Sequence, residues 1–311
     1  MRAVLSLLFA AWLCAAPPAA PKGRLRVPVW VEAGEGHSET ELLREEIGVT
    51  VSGLAATPTV LLGPRDDLVL LVVTDMAGDV TLAELAKRAL NERLTQLPPN
   101  AMAGLLRAQD GLRVLVDPTA DRAALTAAVD ALPVSGKAGL LNTVQTATSL
   151  GDAILGKAGV RLAVLFITDS DVGNYREDFT NPTINWTDSG DVSRRFRDGL
   201  IREKISKLNA SLEAVETPVF ILHLAYRTDT LNQAYQTGLM TLAATTGGSS
   251  YFCRSQTEIP DAMGKAFEAI TSQYSLMVAL PGDLPKTLDV TLESPEGLSL
   301  IWRGRFARRG D

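Results

Sequence analysis

Cysteine and histidine are scarce in this sequence. The 311 residues include two cysteines and two histidines, and no cluster of them has the spacing of a zinc site. Cys253 lies in an apolar, strand-like segment, which favours a buried and inert thiol. His223 also lies in an apolar strand-like segment, so we expect a structural histidine and not the base of a Ser-His-Asp triad.

Motifs for phosphate and nucleic-acid binding are missing too. The sequence has neither a GxGxxG nor a P-loop pattern, so nothing in it supports nucleotide binding. The formal net charge is −6 and no long block of Lys and Arg occurs, so we expect no nucleic-acid or anionic-membrane partner. Hydrophobic residues make up 46% of the chain and charged residues 21%, which is typical of a globular protein with a real core.

Residues 1–20 have the pattern of a secretory signal peptide. Arg2 precedes an apolar core that gives way to small residues and prolines. This core is too short, and has the wrong flanks, for a membrane span, and no later apolar stretch is long enough for one. A lipoprotein signal would need small residues before Cys14, where Trp12 and Leu13 stand. We therefore expect a secreted or periplasmic mature chain, with Cys253 as its one cysteine.

Residues 68–79 are the centre of the predicted fold. Apolar and β-branched residues run without a break from 68 to 74 and stop at Asp75, which indicates a strand buried on both faces. A helical pattern follows. The same unit recurs at 161–168, where a second apolar run ends at Asp169. Strands that alternate with helices predict an α/β fold with a doubly wound, mostly parallel sheet.

Short β-rich pieces flank this core. We expect a small β-rich segment at 23–66, the α/β domain at 67–281, and a C-terminal β extension at 282–311. The strand-like run 274–280 is assigned to the α/β domain in this division. The N-terminal piece is predicted to cover or dock against the core.

Acidic residues follow the two buried strands. Ligands of doubly wound sheets bind outside the carboxyl ends of the strands, so we expect Asp75, Asp79 and Asp169 at one edge. Asp169 and Asp171 are also spaced like the paired acids of haloacid-dehalogenase-type phosphatases, in which the first acid attacks phosphorus. Gly173 stands where that pattern has Thr or Val, and the strand lies in mid-chain. A hydrolase that uses Asp169 and Asp171 is therefore an alternative.

Three segments together resemble the von Willebrand factor type A superfamily. They are LVLLVVTDMAGD at 68–79, LFITD at 165–169, and LAATTGGSSYF at 242–252 followed by EAITSQYSLMVALPG at 268–282. The last block and the closing pattern LDVTLESPEGLSLIWRGRF resemble the secreted bacterial group called VWFA-related, common in acidobacteria. The resemblance implies a von Willebrand factor A-like, Rossmann-like α/β fold.

The resemblance also implies a metal-ion-dependent adhesion site, with the motif Asp-x-Ser-x-Ser joined by a Thr and an Asp from two further loops. Here Ala77 stands in the first Ser position and offers no ligand, so the site is degenerate. Without a cation its carboxylates would repel one another and one pKa should rise. Mg²⁺ or Ca²⁺ is the candidate cofactor, and a metal-free edge is the alternative. The candidate ligands are Asp75, Asp79, Asn142, Thr143 and Asp169.

A polar insertion at 170–191 interrupts the regular pattern. It carries Tyr175, Phe179 and Trp186, and long irregular loops on a rigid scaffold usually serve binding. We therefore predict a secreted, non-enzymatic protein-binding or adhesion module that uses the acidic edge and these three aromatic residues. A purely structural role in the cell envelope remains a further alternative, and the sequence does not specify an oligomeric state.

Overall fold

The computed structural model describes residues 23–32, 42–179, 190–282, 284–294 and 298–308. The side chains of 176–179, 190–198 and 200 are also outside the description. The predicted signal peptide and Trp186 lie outside the described residues. No helix among the described residues is long and apolar enough to cross a membrane.

The chain forms fourteen strands and six α-helices within these ranges. The helices are α1 (Val80–Gln96), α2 (Arg122–Asp130), α3 (Leu140–Lys157), α4 (Gly190–Leu212), α5 (Thr230–Thr246) and α6 (Ile259–Thr271). The strands are β1 (Gly23–Glu32), β2 (Gly48–Val51), β3 (Leu54–Ala55), β4 (Thr57–Leu62), β5 (Leu68–Asp75), β6 (Ala101–Arg107), β7 (Arg113–Thr119), β8 (Arg161–Thr168), β9 (Val219–His223), β10 (Ser250–Phe252), β11 (Tyr274–Leu280), β12 (Thr287–Glu293), β13 (Ser299–Trp302) and β14 (Arg305–Ala307).

A six-stranded sheet forms the centre of the molecule. Its strand order is β10-β9-β8-β5-β6-β7, and every neighbouring pair is parallel except β6 and β7. The predicted α/β fold with a mostly parallel sheet is confirmed. All residues of β5 and β8 are buried, as their unbroken apolar runs predict.

Helices cover both faces of this sheet. Successive side chains of a strand point to opposite faces, so Leu68, Leu70 and Val72 contact one core while Val69, Leu71 and Val73 contact the other. The first core is completed by α1, α2 and α6, and the second by α3, α4 and α5. Because helices cover both faces of the sheet, a site can form among the loops at the carboxyl ends of the strands.

The β-rich pieces from the two ends of the chain form one additional layer. Two four-stranded sheets, β13-β1-β11-β4 and β14-β12-β2-β3, share a single hydrophobic core. The strand at 274–280, expected in the central sheet, instead lies between β1 and β4 and is antiparallel to both. An apolar run of strand length indicates burial but does not specify which sheet the strand joins.

Strand β7 extends further than its local sequence suggests. Residues 117–121 have turn chemistry, yet the strand continues to Thr119 and only Asp121 acts as the N-cap of α2. Pro118 is tolerated because β7 is an edge strand, where one missing backbone donor need not cost a ladder hydrogen bond.

Arg161 joins the central sheet to the β layer. Its guanidinium is buried and donates to the carbonyl oxygens of Pro64 and Asp66 before β5, and of Thr271 and Gln273 before β11, at 2.8–3.3 Å. One side chain therefore donates to four backbone carbonyl groups in the segments before β5 and β11, and the Asn100 side chain also donates to those of Pro64 and Asp66. Buried acceptors left without donors are costly.

Replacing this guanidinium should destabilise the protein. We expect Arg161→Met to lower the free energy of unfolding by about 3 kcal/mol, because it removes the donor of the Thr271 and Gln273 carbonyl groups. Urea unfolding followed by circular dichroism measures the change. The matched control is Arg88→Met on the exposed side of α1, where the expected change is within about 0.5 kcal/mol. Equal stability of the two variants would contradict this role of Arg161.

Candidate functional site

The carboxyl edge of the central sheet brings the two strand-end acids together. β5 and β8 are parallel neighbours in a register that pairs Asp75 with Thr168. Asp169 is the next residue, so both carboxylates lie at the same rim of the sheet. The loop after β5, the loop after β8 and the loop before α3 meet at this rim.

Asp75 binds the amino end of α3. Its two carboxylate oxygens accept hydrogen bonds from the backbone N–H groups of Gly139 (2.8 Å) and Leu140 (3.1 Å), and the Thr168 hydroxyl donates at 3.3 Å. The N-cap residue Gly139 has no side chain to do this itself. A Cβ at that position would lie 1.9 Å from the carbonyl oxygen of Ala108, so only glycine fits. Asp75 therefore supplies the capping acceptor from another element.

Asp169 binds the loop between β5 and α1. Its oxygens accept three successive backbone N–H groups, those of Ala77 (2.8 Å), Gly78 (2.9 Å) and Asp79 (2.7 Å). Successive N–H groups that point to one centre form an anion-binding concavity. In this chain the anion is the protein's own carboxylate.

The remaining candidate ligands also have local structural partners. Asp79 is the N-cap of α1 and accepts from Thr81 and Leu82. The Thr143 hydroxyl is buried and donates back to the Gly139 carbonyl at 2.8 Å. Asn142 accepts from the Lys204 ammonium at 2.6 Å, which brings a positive charge to the rim.

These residues do not fit a bound divalent cation. A cation of this class needs several oxygen atoms that point to one centre. Here both carboxylate oxygens of Asp75 and Asp169 and one of Asp79 accept N–H groups, the Thr143 hydroxyl donates to a carbonyl group, and the Ala77 side chain has no ligand atom. Among the residues that the structure describes, no group of three or more Asp, Glu, His or Cys side chains is placed to hold a metal ion.

A buried polar chain lies behind the rim. The Thr168 hydroxyl contacts Ser170 Oγ at 2.6 Å, and Ser170 Oγ contacts the Tyr235 hydroxyl at 2.9 Å. His223 Nε2 lies 2.8 Å from the Ser170 carbonyl oxygen, and the His223 ring stacks on Phe252. The prediction of a structural histidine is confirmed, and burial lowers the pKa of His223. Sequence analysis missed Ser170 and Tyr235, although Ser170 directly follows the strand-end acid.

Tyr175 does not lie on the protein surface. Its side chain is fully buried in the second core, its hydroxyl accepts the backbone N–H of Leu141 at 3.3 Å, and its ring contacts Tyr235. The expectation that Tyr175 contacts a partner is therefore corrected: this residue supports the amino end of α3. Phe179 ends a 3₁₀ helix, Val172–Phe179, and its side chain and Trp186 are outside the described residues.

Asp171 forms an ion pair and is not joined to Asp169 in a reactive pair. Its carboxylate lies 3.1 Å from the Arg227 guanidinium. Asp169 has both oxygens engaged by backbone N–H groups. Asp169 therefore holds the loop between β5 and α1. Cys253 is buried, as predicted, and burial raises the pKa of its thiol to about 11.

Comparisons with known proteins concern the fold. No protein-family model and no curated protein matches the chain. Similar solved structures include a von Willebrand factor type A protein from Catenulispora acidiphila (12% identity, TM-score 0.48, 98% of this chain and 77% of that one). They also include an aerotolerance-related membrane protein from Bacteroides fragilis (12%, TM-score 0.39, 65% and 98%) and the PilB minor pilin from Streptococcus sanguinis (10%, TM-score 0.47, 67% and 62%).

The structure has the doubly wound, mostly parallel α/β sheet that the sequence resemblance to von Willebrand factor A proteins implies. The likeness is one of architecture only, and no activity or partner is transferred from these proteins.

The pH dependence of stability tests the buried position of Asp75. Burial raises the pKa of Asp75 to about 6 from an ordinary value of 3.8; the charge of Asp169 contributes less, and the N–H groups of Gly139 and Leu140 oppose the rise. The folded state therefore binds the proton more tightly than the unfolded state. Stability should fall as pH rises from 4 to 6, by about 3 kcal/mol in total from this one group.

Asp75→Asn should remove this contribution. His223 acts in the opposite direction, because a lowered folded-state pKa loses stability as pH falls below 6.5. Both proteins retain His223, so the difference between them isolates Asp75. Urea unfolding from pH 4 to pH 7 measures it, and a difference that does not change with pH would contradict the buried, strained carboxylate.

Metal addition gives a separate test. Titration of Mg²⁺, Mn²⁺ and Ca²⁺ into the protein should release no heat and leave the melting temperature unchanged at millimolar metal, because the acceptor oxygens already bind N–H groups. The matched variant is Asp169→Ala, which frees the three N–H groups and should lower the melting temperature equally with and without metal. A metal-dependent rise in melting temperature that Asp169→Ala abolishes would contradict the metal-free account.

Proposed function

We propose that this chain is a secreted, non-enzymatic protein-binding module that uses the carboxyl edge of its central sheet without a cation. Secretion rests on the signal-like residues 1–20, and the binding role rests on the edge itself. The proposal rests mainly on the hydrogen bonds that the two carboxylates at this edge accept. Asp75 and Asp169 fix two loops by five backbone hydrogen bonds and are turned inward.

Such an edge is a rigid platform. The loop 76–79 is held against β8 by Asp169, and the amino end of α3 is held against β5 by Asp75. Both anchors are buried, so solvent does not compete for these hydrogen bonds. Loops that are preorganised by a scaffold lose little conformational entropy when a partner binds. This supports recognition, whereas a catalytic site would need a free nucleophile or base.

The exposed part of the platform has a mixed character. Val80 begins α1 beside Asp79 and is 62% exposed. Other loops at the carboxyl edge carry charged groups of both signs, the Asp171–Arg227 ion pair and Lys204 beside Asn142. A surface that combines an exposed apolar residue with polar and charged groups is compatible with a protein–protein interface. The proposed partner is therefore a protein surface.

The insertion adjoins this platform in sequence. It leaves the rim through the 3₁₀ helix Val172–Phe179 and returns at the start of α4. Trp186 is the large aromatic residue of this stretch, and Trp is enriched among residues that dominate binding energy. We therefore keep Trp186 as the proposed anchor, with Phe179 as a second, while Tyr175 takes a structural role.

Capture of a partner from bacterial envelope extract tests the proposal. With immobilised protein, Trp186→Ala and Val80→Asp should each reduce partner recovery several-fold without changing the melting temperature, as expected of residues that contact the partner. Ile301→Lys, an exposed apolar residue of the β layer, is the matched control and should capture as well as the parent. Chelator should make no difference.

Other results would assign the binding surface differently. Capture that is equal for all variants would place it away from the carboxyl edge, and capture that chelator abolishes would reinstate a metal. Tyr175→Phe tests whether Tyr175 stabilises the fold or contacts the partner. It should lower the free energy of unfolding by about 1 kcal/mol, because the Leu141 N–H loses its acceptor. Its partner capture should stay intact.

A further inference from the structure

Strand β7 is an exposed edge of the central sheet. It lies at the end of the strand order and pairs only with β6 in the described part of the chain. Val114 is 50% exposed and Leu115 is 44% exposed, although both are apolar. The opposite edge strand, β10, is shorter, spanning Ser250–Phe252. Edge strands present unpaired N–H and C=O groups and are usually protected against association.

The ladder with β6 leaves the middle of β7 without a cross-strand partner. Leu106 pairs with Val114 and Leu105 pairs with Val116, so Leu115 is opposite no residue. A second register shift lies between Val116 and Thr119, and Pro118 within it has no backbone N–H, so pairing with a new strand ends before Pro118. The segment left for pairing is the five residues from Arg113 to Asp117.

The two charged residues of this segment are complementary to those of a second copy of the strand. Arg113 and Asp117 are both exposed, and within the described residues neither forms an ion pair or a side-chain hydrogen bond. They lie two positions on either side of Leu115. Charged side chains on an edge strand hinder association, and like charges that face each other across two strands repel. Opposite charges placed symmetrically about an apolar centre do not have that effect.

We propose that β7 is a self-association edge and that its partner is a second copy of this chain. In an antiparallel pairing centred on Leu115, Arg113 of each copy lies opposite Asp117 of the other. Val114 then lies opposite Val116, and Leu115 lies on the two-fold axis. Such an interface is isologous, with the same patch on both subunits. A parallel pairing would place like charges opposite each other, so charge selects the antiparallel arrangement.

The pairing joins two central sheets into one and places their carboxyl edges at opposite sides of the dimer, because the two-fold axis reverses the strand direction. A five-residue contact buries little surface, so the association is weak and depends on concentration. It involves neither Asp75 nor Asp169. Failure of this inference would therefore leave the proposed binding function untouched.

Analytical ultracentrifugation with charge-exchanged variants tests the inference. From about 1 µM to about 1 mM, the range in which weak contacts populate, the parent's average mass should rise from one chain towards two. Arg113→Asp places Asp opposite Asp117, and Asp117→Arg places Arg opposite Arg113, so each variant alone should stay at the mass of one chain. An equimolar mixture of the two variants should associate like the parent, because each copy then offers the charges that the other lacks.

Two further proteins complete the experiment. The double variant with Arg113→Asp and Asp117→Arg restores both pairs and should associate. Ile301→Lys, on the edge strand β13 of the other sheet, should associate like the parent. A parent that stays at one chain throughout the range overturns the inference. So does association of the single variants equal to that of the parent, or a mixture that fails to associate when circular dichroism shows both variants folded.

Discussion

The structure depends on two buried carboxylates that accept backbone N–H groups. Asp75 ends β5 and binds the amino end of α3. Asp169 directly follows β8 and binds the loop between β5 and α1. A carboxylate that is removed from water must be paired with a cation or with several N–H groups. Here five N–H donors fulfil that requirement for both side chains. The loop conformations, the amino end of α3 and the exposed platform all follow from this pairing.

A few residues favour N–H groups over a cation as the partners of the Asp75 and Asp169 carboxylates. Gly139 lets α3 begin against Ala108, and Gly78 avoids a Cβ that would lie 3.3 Å from Asp169 Oδ2. Ala77 removes one ligand atom from the motif, and Asp79 is committed to capping α1. Together these residues form a self-contained hydrogen-bond network where the family resemblance implies metal ligands. The proposed function without a cation rests on that conversion.

The meeting of Asp75 and Asp169 was predictable because an unbroken apolar run predicts a central strand, and parallel strands share a carboxyl edge. The direction of their oxygens was not predictable, since it depends on loop geometry set by distant residues such as Gly139. Tyr175 illustrates the same limit. Its polar sequence surroundings indicated exposure, whereas Tyr235 and Leu141, far away in sequence, enclose it. The sequence predicts the strands of the β layer. It does not predict that strands from the two ends of the chain pair with each other there.

The most direct test of the central claim is a crystal structure of the protein grown with Mn²⁺ and measured at the manganese absorption edge. The account predicts no anomalous peak at the carboxyl edge, with the Asp169 oxygens within hydrogen-bond distance of the N–H groups of residues 77–79. An anomalous peak between Asp75 and Asp169, with the carboxylates turned away from those N–H groups, would contradict it.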